Sequence, residues 1–314
     1  MFNPDTRNGR PTVRTFAPEL WAEVDAFVAL SGRTYAFKHR DEQTLGGVKR
    51  HFEKAQIFRD NAAQSIDSLI AEQADMDRRG FSEVSHGRET AQNIEAAITE
   101  LYSCLDCTAK TVHAIYGKSS RGFKDSTSFL FTSPERIAGA FPDILKGIFA
   151  GATWEKPLRD LRTELVHSGT GHCDLTRSDV AAIRYLHLGI KINGRCLEIL
   201  DVISWFDEKT NQVNAFLGAL FHFLRGTLKA YPVTMLCGMV DGRALVRELD
   251  PTESKISFHS GKCLAVTWIE NPELPTCPFI TMCGAYRRTR PDIDPAQVLS
   301  SKLHPEPWAP AAQV

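Results

Sequence analysis

No stretch of the chain reaches the eighteen or so consecutive apolar residues that a membrane-spanning helix needs. The nearest candidate, residues 213–228, is interrupted by His222 and Arg225. Charge of one sign is also missing: 37 Lys and Arg stand against 38 Asp and Glu, for a net −1. That balance argues against a basic nucleic-acid coat, but it leaves room for a local basic groove. The opening residues (MFNPDTRNGRPTVRTF) are charged and contain no apolar core, so no signal peptide is expected there. Four catalytic signatures are absent too: GxxxxGK[ST], GxGxxG after a strand, HExxH and GxSxG. P-loop nucleotide hydrolysis, Rossmann redox chemistry, zincin proteolysis and α/β-hydrolase chemistry lose support accordingly. The eight cysteines are scattered through 314 residues, which reads as reduced thiols in a cytoplasmic protein rather than a disulfide framework.

What is present is ordinary globular composition, 43% hydrophobic and 24% charged, at a length that suggests two domains or one with an appendage. Residues 1–17 are polar and read as a flexible arm. From residue 18 apolar residues recur at threes and fours through Leu20, Trp21, Val24, Phe27 and Leu30. Residues 41–77 lack proline and read as one long helix, with Gly46-Gly47 as a break in its first turn and Arg79-Gly80 as its stop. A further helix is predicted over 89–116, then a loop over 118–128. Ser133-Pro134-Glu135 signals a short helix with Ser133 as N-cap and proline at N1. Another short helix runs from Trp154 or Pro157 to Ser168-Gly169. Residues 182–190 and 196–206 flank Asn193-Gly194, the strongest short hairpin signal, and helix returns over 210–229. Beyond Pro232 five short strands are predicted, over 233–240, 244–249, 255–259, 263–269 and 278–286. Asp241-Gly242 and Ser260-Gly261 mark turns between them, and the tail from Arg290 reads as irregular. The expected fold class is therefore mainly α, a helical bundle over 18–230 with an inserted β-hairpin, followed by a small β-rich region over 231–314.

The richest segment is WEKPLRDLRTELVHSGTGHC, residues 154–173. Leu158, Leu161 and Leu165 form its core-facing stripe. Arg162 sits at the edge of that stripe and His167 lies about 140° further round, with Arg159, Thr163 and Val166 between. The Arg-x4-His spacing is common by chance, and looser pairs occur at Arg33/His39 and Arg79/His86. The chemistry such a pair permits is specific nonetheless. A histidine near neutral pH exchanges protons with the 2′-hydroxyl or the leaving 5′-oxygen of RNA. A guanidinium grips two non-bridging oxygens and stabilises charge building on phosphorus. No metal or other cofactor is needed, because RNA carries its own nucleophile. The ordinary alternative is that Arg162 pairs with Glu155 or Asp160 while His167 serves a helix C-terminus, worth about 0.3–1 kcal/mol.

Helix, long loop, a proline-initiated helix ending in Arg162-x4-His167-Ser-Gly, a hairpin and a closing amphipathic helix together resemble the HEPN superfamily. The likeness rests on Arg162, Thr163 and His167 within residues 158–169 and covers roughly residues 18–230. It implies a metal-independent endoribonuclease of a toxin or phage-defence system, with one motif from each protomer meeting at a homodimer interface. His167 would then be general acid or base, Arg162 would stabilise the transition state, and Thr163 would orient one of them or contact phosphate. Members usually carry Asn, Asp or His where Thr163 stands. Some members are inactive, so the alternative implied is a helical scaffold that binds a protein or nucleotide partner. A regulatory protein partner is compatible with either.

The remaining candidates are supporting ones. Arg159 sits beside the motif, and His172 with Cys173 follows in what reads as a glycine-flanked loop. Lys118, Arg121 and Lys124 form a basic loop with Phe123 available for stacking on a nucleic acid. Arg287, Arg288 and Arg290 form a second cluster. Trp205 and Phe206 read as core. Cys104-x2-Cys107 has ligand spacing but lies mid-helix with no second pair, so no metal is expected there. Cys237, Cys263, Cys277 and Cys283 match a tetrahedral zinc in number. Their spacing is irregular and three fall inside apparent strands, so they read as buried thiols.

Overall fold

The computed structural model describes residues 22–82, 85–176, 181–192, 194–240, 243–253 and 256–303. Among them the chain is mainly helical, with three small antiparallel sheets. They form two compact units, one over Phe37–Leu220 and one from the described parts of Met1–Ala36 and Phe221–Val314.

The first unit is built on two long helices, α2 (His39–Gln64) and α4 (His86–Tyr116), which pack along each other. Their buried positions recur at helical spacing: Leu45, Val48, Phe52 and Ala55 on α2, and Ile94, Ile98, Leu101, Leu105 and Val112 on α4. Gly46-Gly47 does not break α2. A β-carbon on Gly47 would lie 2.7 Å from the Cys107 sulfur of α4, so the missing side chain permits close approach of the two helices. The single helix expected over 41–77 is instead two, α2 and α3 (Ile66–Arg79), divided at Ser65. The Ser65 hydroxyl lies 2.6 Å from the Ala62 carbonyl and 2.7 Å from Thr90 Oγ1, a local alternative to the helical ladder that periodicity does not reveal. Gly80 caps α3 as expected.

The expected loop over 118–128 contains the two-residue strand β1 (Ser120–Arg121) and runs into α5 (Thr127–Thr132), whose Ser126 cap accepts from Phe129 N at 3.3 Å. Ser133-Pro134 opens a single 3₁₀ turn, Pro134–Arg136, with no side-chain cap bond. After β2 (Ala138–Gly139), which pairs with β1, come α6 (Asp143–Gly151) and α7 (Glu155–His167). The expected hairpin is present as β4 (Ile183–Ile192) and β5 (Arg195–Ile199). Gly194 adopts φ +77 in its turn, whereas Asn193 lies outside the described residues. Two corrections apply here. Residues 202–206 are not strand but the start of α8 (Val202–Arg225), because Asp201 caps it by accepting from Ser204 N at 3.0 Å. Residues 172–175 are not loop but strand β3 (His172–Leu175), which pairs with β4 to give the order β3-β4-β5.

In the second unit, α1 (Ala22–Leu30) stacks Phe27 edge-on against Phe221 at 5.6 Å, and Glu23 pairs with Arg225 at 3.0 Å. β6 (Val233–Val240) and β7 (Arg243–Leu249) lie where expected, with β8 (Lys262–Cys263) on the far edge of β7. The turn signal Asp241-Gly242 falls outside the described residues, as does Lys255. The other strands expected here are corrected: residues 257–260 close a turn, 266–270 form α9 (Val266–Glu270), and 284–289 form α10 (Gly284–Thr289). Apolar runs this short carry no decisive period. The tail is not wholly irregular either. Asp294 accepts from Ala296 N at 3.0 Å and Pro295 takes the first position of α11 (Pro295–Leu303), a cap-and-proline start.

Candidate functional site

Helix α7 carries the Arg-His motif. Leu158, Leu161 and Leu165 are buried as the wheel requires, and Trp154 at the entry meets Phe216 of α8 edge-on at 6.0 Å. Glu155 belongs to the same inward stripe and is only 1% exposed. It accepts a hydrogen bond from the Tyr102 hydroxyl of α4 at 2.8 Å and pairs with Arg159 at 3.3 Å. Burial raises the Glu155 carboxyl above its usual range, against the opposing pull of Tyr102 and Arg159. Burial, followed by the neighbouring Glu155 charge, pushes the Tyr102 phenol up as well.

The two arginines of this helix have different surroundings. Arg159 is committed to structure: besides Glu155 it donates to Ser128 Oγ of α5 at 2.8 Å and approaches Asp160 at 3.7 Å. Asp160 is further engaged by Lys156 at 2.5 Å. The two carboxylates that offered Arg162 an ordinary partner are thus taken by other cations. Arg162 instead lies over the Tyr102 ring, 5.7 Å from its centroid, and makes no ion pair among the described residues. Its Nε is buried and without a hydrogen-bond partner.

Thr163 and His167 are exposed. The Thr163 hydroxyl donates back to the Arg159 carbonyl at 2.9 Å. His167 ends α7 and makes no hydrogen bond or ion pair among the described residues. Within one chain the five-residue spacing leaves Arg162 and His167 about 140° and 7.5 Å apart on the helix, and among the described residues no hydrogen bond or ion pair joins them. The sector between them includes Val166, 54% exposed.

The supporting candidates are divided. His172 stands on β3 opposite Leu186 and lines a cavity of about 360 Å³ with Leu69, Glu72 and Met76 of α3. Lys118, Arg121 and Lys124 are exposed, and Lys124 lies 5.3 Å from the Phe129 ring. Phe123 is no free stacking platform, since it packs edge-on against His113 at 5.0 Å and Phe141 at 5.2 Å. The downstream end of that basic segment reaches α7 through Ser128 and Arg159. Arg287, Arg288 and Arg290 are engaged by carbonyls and carboxylates, with Arg288 donating to the Gly261 carbonyl at 3.0 Å. Phe206 is fully buried and Trp205 lies under Lys209 at 6.0 Å.

Sequence reasoning offered Glu155 only as an ion-pair partner for Arg162 and missed its burial against Tyr102. The available signal was a carboxylate at core-stripe spacing, three residues before Leu158. Comparison of the chain with protein-family models, with curated proteins and with solved structures found no match.

Proposed function

We propose that the protein is a HEPN-like, metal-independent endoribonuclease acting as a homodimer across α7, in a toxin or antiviral-defence setting. The observation that carries this reading is the contrast between two neighbouring arginines. Arg159 is neutralised by a buried carboxylate, while Arg162 is held over an aromatic ring with its charge unpaired and Nε unsatisfied. A guanidinium kept free of its own acids is suited to a phosphate. His167, exposed at the end of the same helix, is suited to proton transfer. Because the pair diverges within one chain, the composite site needs Arg162 from one protomer and His167 from its partner, with exposed Val166 covered between them.

In this reaction the 2′-oxygen attacks phosphorus as His167 takes or supplies a proton, and Arg162 stabilises the phosphorane-like charge. Products then end in 2′,3′-cyclic phosphate and 5′-hydroxyl. The test is cleavage of unstructured RNA with no divalent cation added, with analysis of product ends. Wild type is expected to give cyclic phosphate, and His167→Ala is expected to lose the activity. Cleavage unchanged by His167→Ala, or products with 5′-phosphate ends, would exclude the mechanism. Absence of cleavage by a well-folded wild-type chain that binds a protein or nucleotide would favour the scaffold, for which the Glu155–Arg159–Tyr102 network already supplies a structural role for this helix.

A further inference from the structure

We propose that the second unit holds one zinc-type divalent cation in a tetrathiolate site made by Cys237, Cys263, Cys277 and Cys283. These four residues come from separate places in the fold. Cys237 occupies the register shift of β6 between Leu236 and Gly238, a bulge of the kind that re-aims a side chain. Cys263 stands on β8 opposite Arg247 of β7. Cys277 lies in the turn after α9, and Cys283 is the residue before α10. All four nevertheless line one cavity of about 20 Å³, whose other walls are Arg247 and apolar side chains. That volume is close to one water molecule's worth of space, so it admits a single ion and no organic ligand.

Arg247 supplies the second, independent observation. It heads the fully buried side chains by size at 1% exposed, and among the described residues no carboxylate pairs with it. Its Nε donates to Cys237 Sγ at 2.8 Å, its Nη1 donates to the Phe258 and Ser260 carbonyls, and its guanidinium lies 5.2 Å from the Phe258 ring. A buried guanidinium set among carbonyls and sulfur atoms, with no carboxylate beside it, is costly. Binding of a dication displaces the four thiol protons to solvent and leaves a metal–tetrathiolate of net charge −2. Arg247 is then a charge-compensating donor to a ligating sulfur, the usual outer-shell arrangement at such sites.

The unit also has need of a staple. Among the described residues between the end of β7 at Leu249 and the start of α10 at Gly284, regular structure amounts to β8 and the single turn of α9. Segments so poor in ladder hydrogen bonds are commonly organised by a structural zinc. No three histidine, cysteine or carboxylate side chains among the described residues already stand at metal-holding distance. Closure on the ion therefore requires the thiols to rotate into the cavity they share.

The test uses the full chain purified without chelator. Elemental analysis is expected to find about one zinc per chain, and Co²⁺ exchanged into the site to show thiolate charge-transfer and tetrahedral d–d absorption. Cys277→Ser and Cys283→Ser are expected to lose both signals, while Cys196→Ser, a change at an exposed strand position, keeps them. If those variants do not fold, wild type decides alone: the cobalt spectrum must appear, and the melting temperature must fall on chelation. A folded chain that binds neither Zn²⁺ nor Co²⁺ would overturn the proposal, as would an iron–sulfur chromophore or disulfides among these four cysteines. Metal content and melting are read without RNA, and product ends without chelator, so this site and the nuclease reading stand or fall separately.

Discussion

At the scale of single residues, the unequal fates of Arg159 and Arg162 divide the consequences of mutation. Arg162→Ala should cost about 10²–10³-fold in cleavage rate with little change in stability, because it removes a transition-state donor and one aromatic contact. His167→Ala should cost about 10²–10⁴-fold, since the imidazole is exposed and holds nothing else in place. Glu155→Ala should act in the opposite way, destabilising the fold by about 3–5 kcal/mol by stranding Arg159 and Tyr102. Urea unfolding measures this, and Glu155→Gln should lose less because its amide oxygen still accepts from Tyr102. The pH dependence has a defined sign. Burial raises the Glu155 value in the folded chain, so between the ordinary and the raised value the folded state keeps a proton that the unfolded state has released. The Glu155 contribution is complete below the ordinary carboxylate value and is lost as pH rises through the raised one. Glu155→Gln should flatten that decline in a pH series of unfolding free energies, and an unaltered slope would assign it elsewhere. Leu158, Leu161 and Leu165 were legible in the sequence because a 3.6-residue period marks a buried stripe. The Glu155–Tyr102 bond was not legible, because it joins positions 53 apart whose meeting depends on how two helices dock.

At the scale of elements, α2 and α4 approach closely enough that Gly47 has no room for a methyl group beside Cys107. Gly47→Ala should cost about 1–3 kcal/mol despite its better helix propensity. In a Cys107→Ala background the same change should become neutral or stabilising, and a double-mutant cycle by denaturant unfolding reads the coupling. Long elements were the most legible part of the fold: α4, α7 and the β4–β5 hairpin follow from period and turn chemistry. The misreadings share a physical origin. Ser65 divides a helix through side-chain hydrogen bonds to Ala62 and Thr90, and Asp201 starts one through a cap, so local polar contacts outweigh apolar spacing. β3 escaped because four residues are too few to show alternation, and their strand character comes from pairing with β4. In the second unit, α9 and α10 occupy runs whose β-branched and aromatic content resembles strand, although their order comes from tertiary ties such as Tyr286 to Glu270 at 2.9 Å.

At the scale of the whole molecule, the dimer reading predicts complementation. Mixed Arg162→Ala and His167→Ala chains, each inactive alone, should recover part of the wild-type rate, because one composite site per heterodimer is intact. No recovery after confirmed subunit exchange would place both groups in one chain. Charging Val166, as in Val166→Asp, should shift sedimentation toward monomer and lower activity in step. Chain topology has a separate outcome during biosynthesis. Helix α1 emerges with Val24, Phe27 and Leu30 needing cover; Tyr35 meets Phe27 within eight residues, but the second ring against it, Phe221, is made about 190 residues later. At about 5–20 residues per second the nascent helix waits roughly 10–40 s for that partner. Its greasy face is therefore a client for chaperones over that interval, and slowed translation should lower the soluble yield of this chain more than that of a protein whose helices pair with near neighbours in sequence.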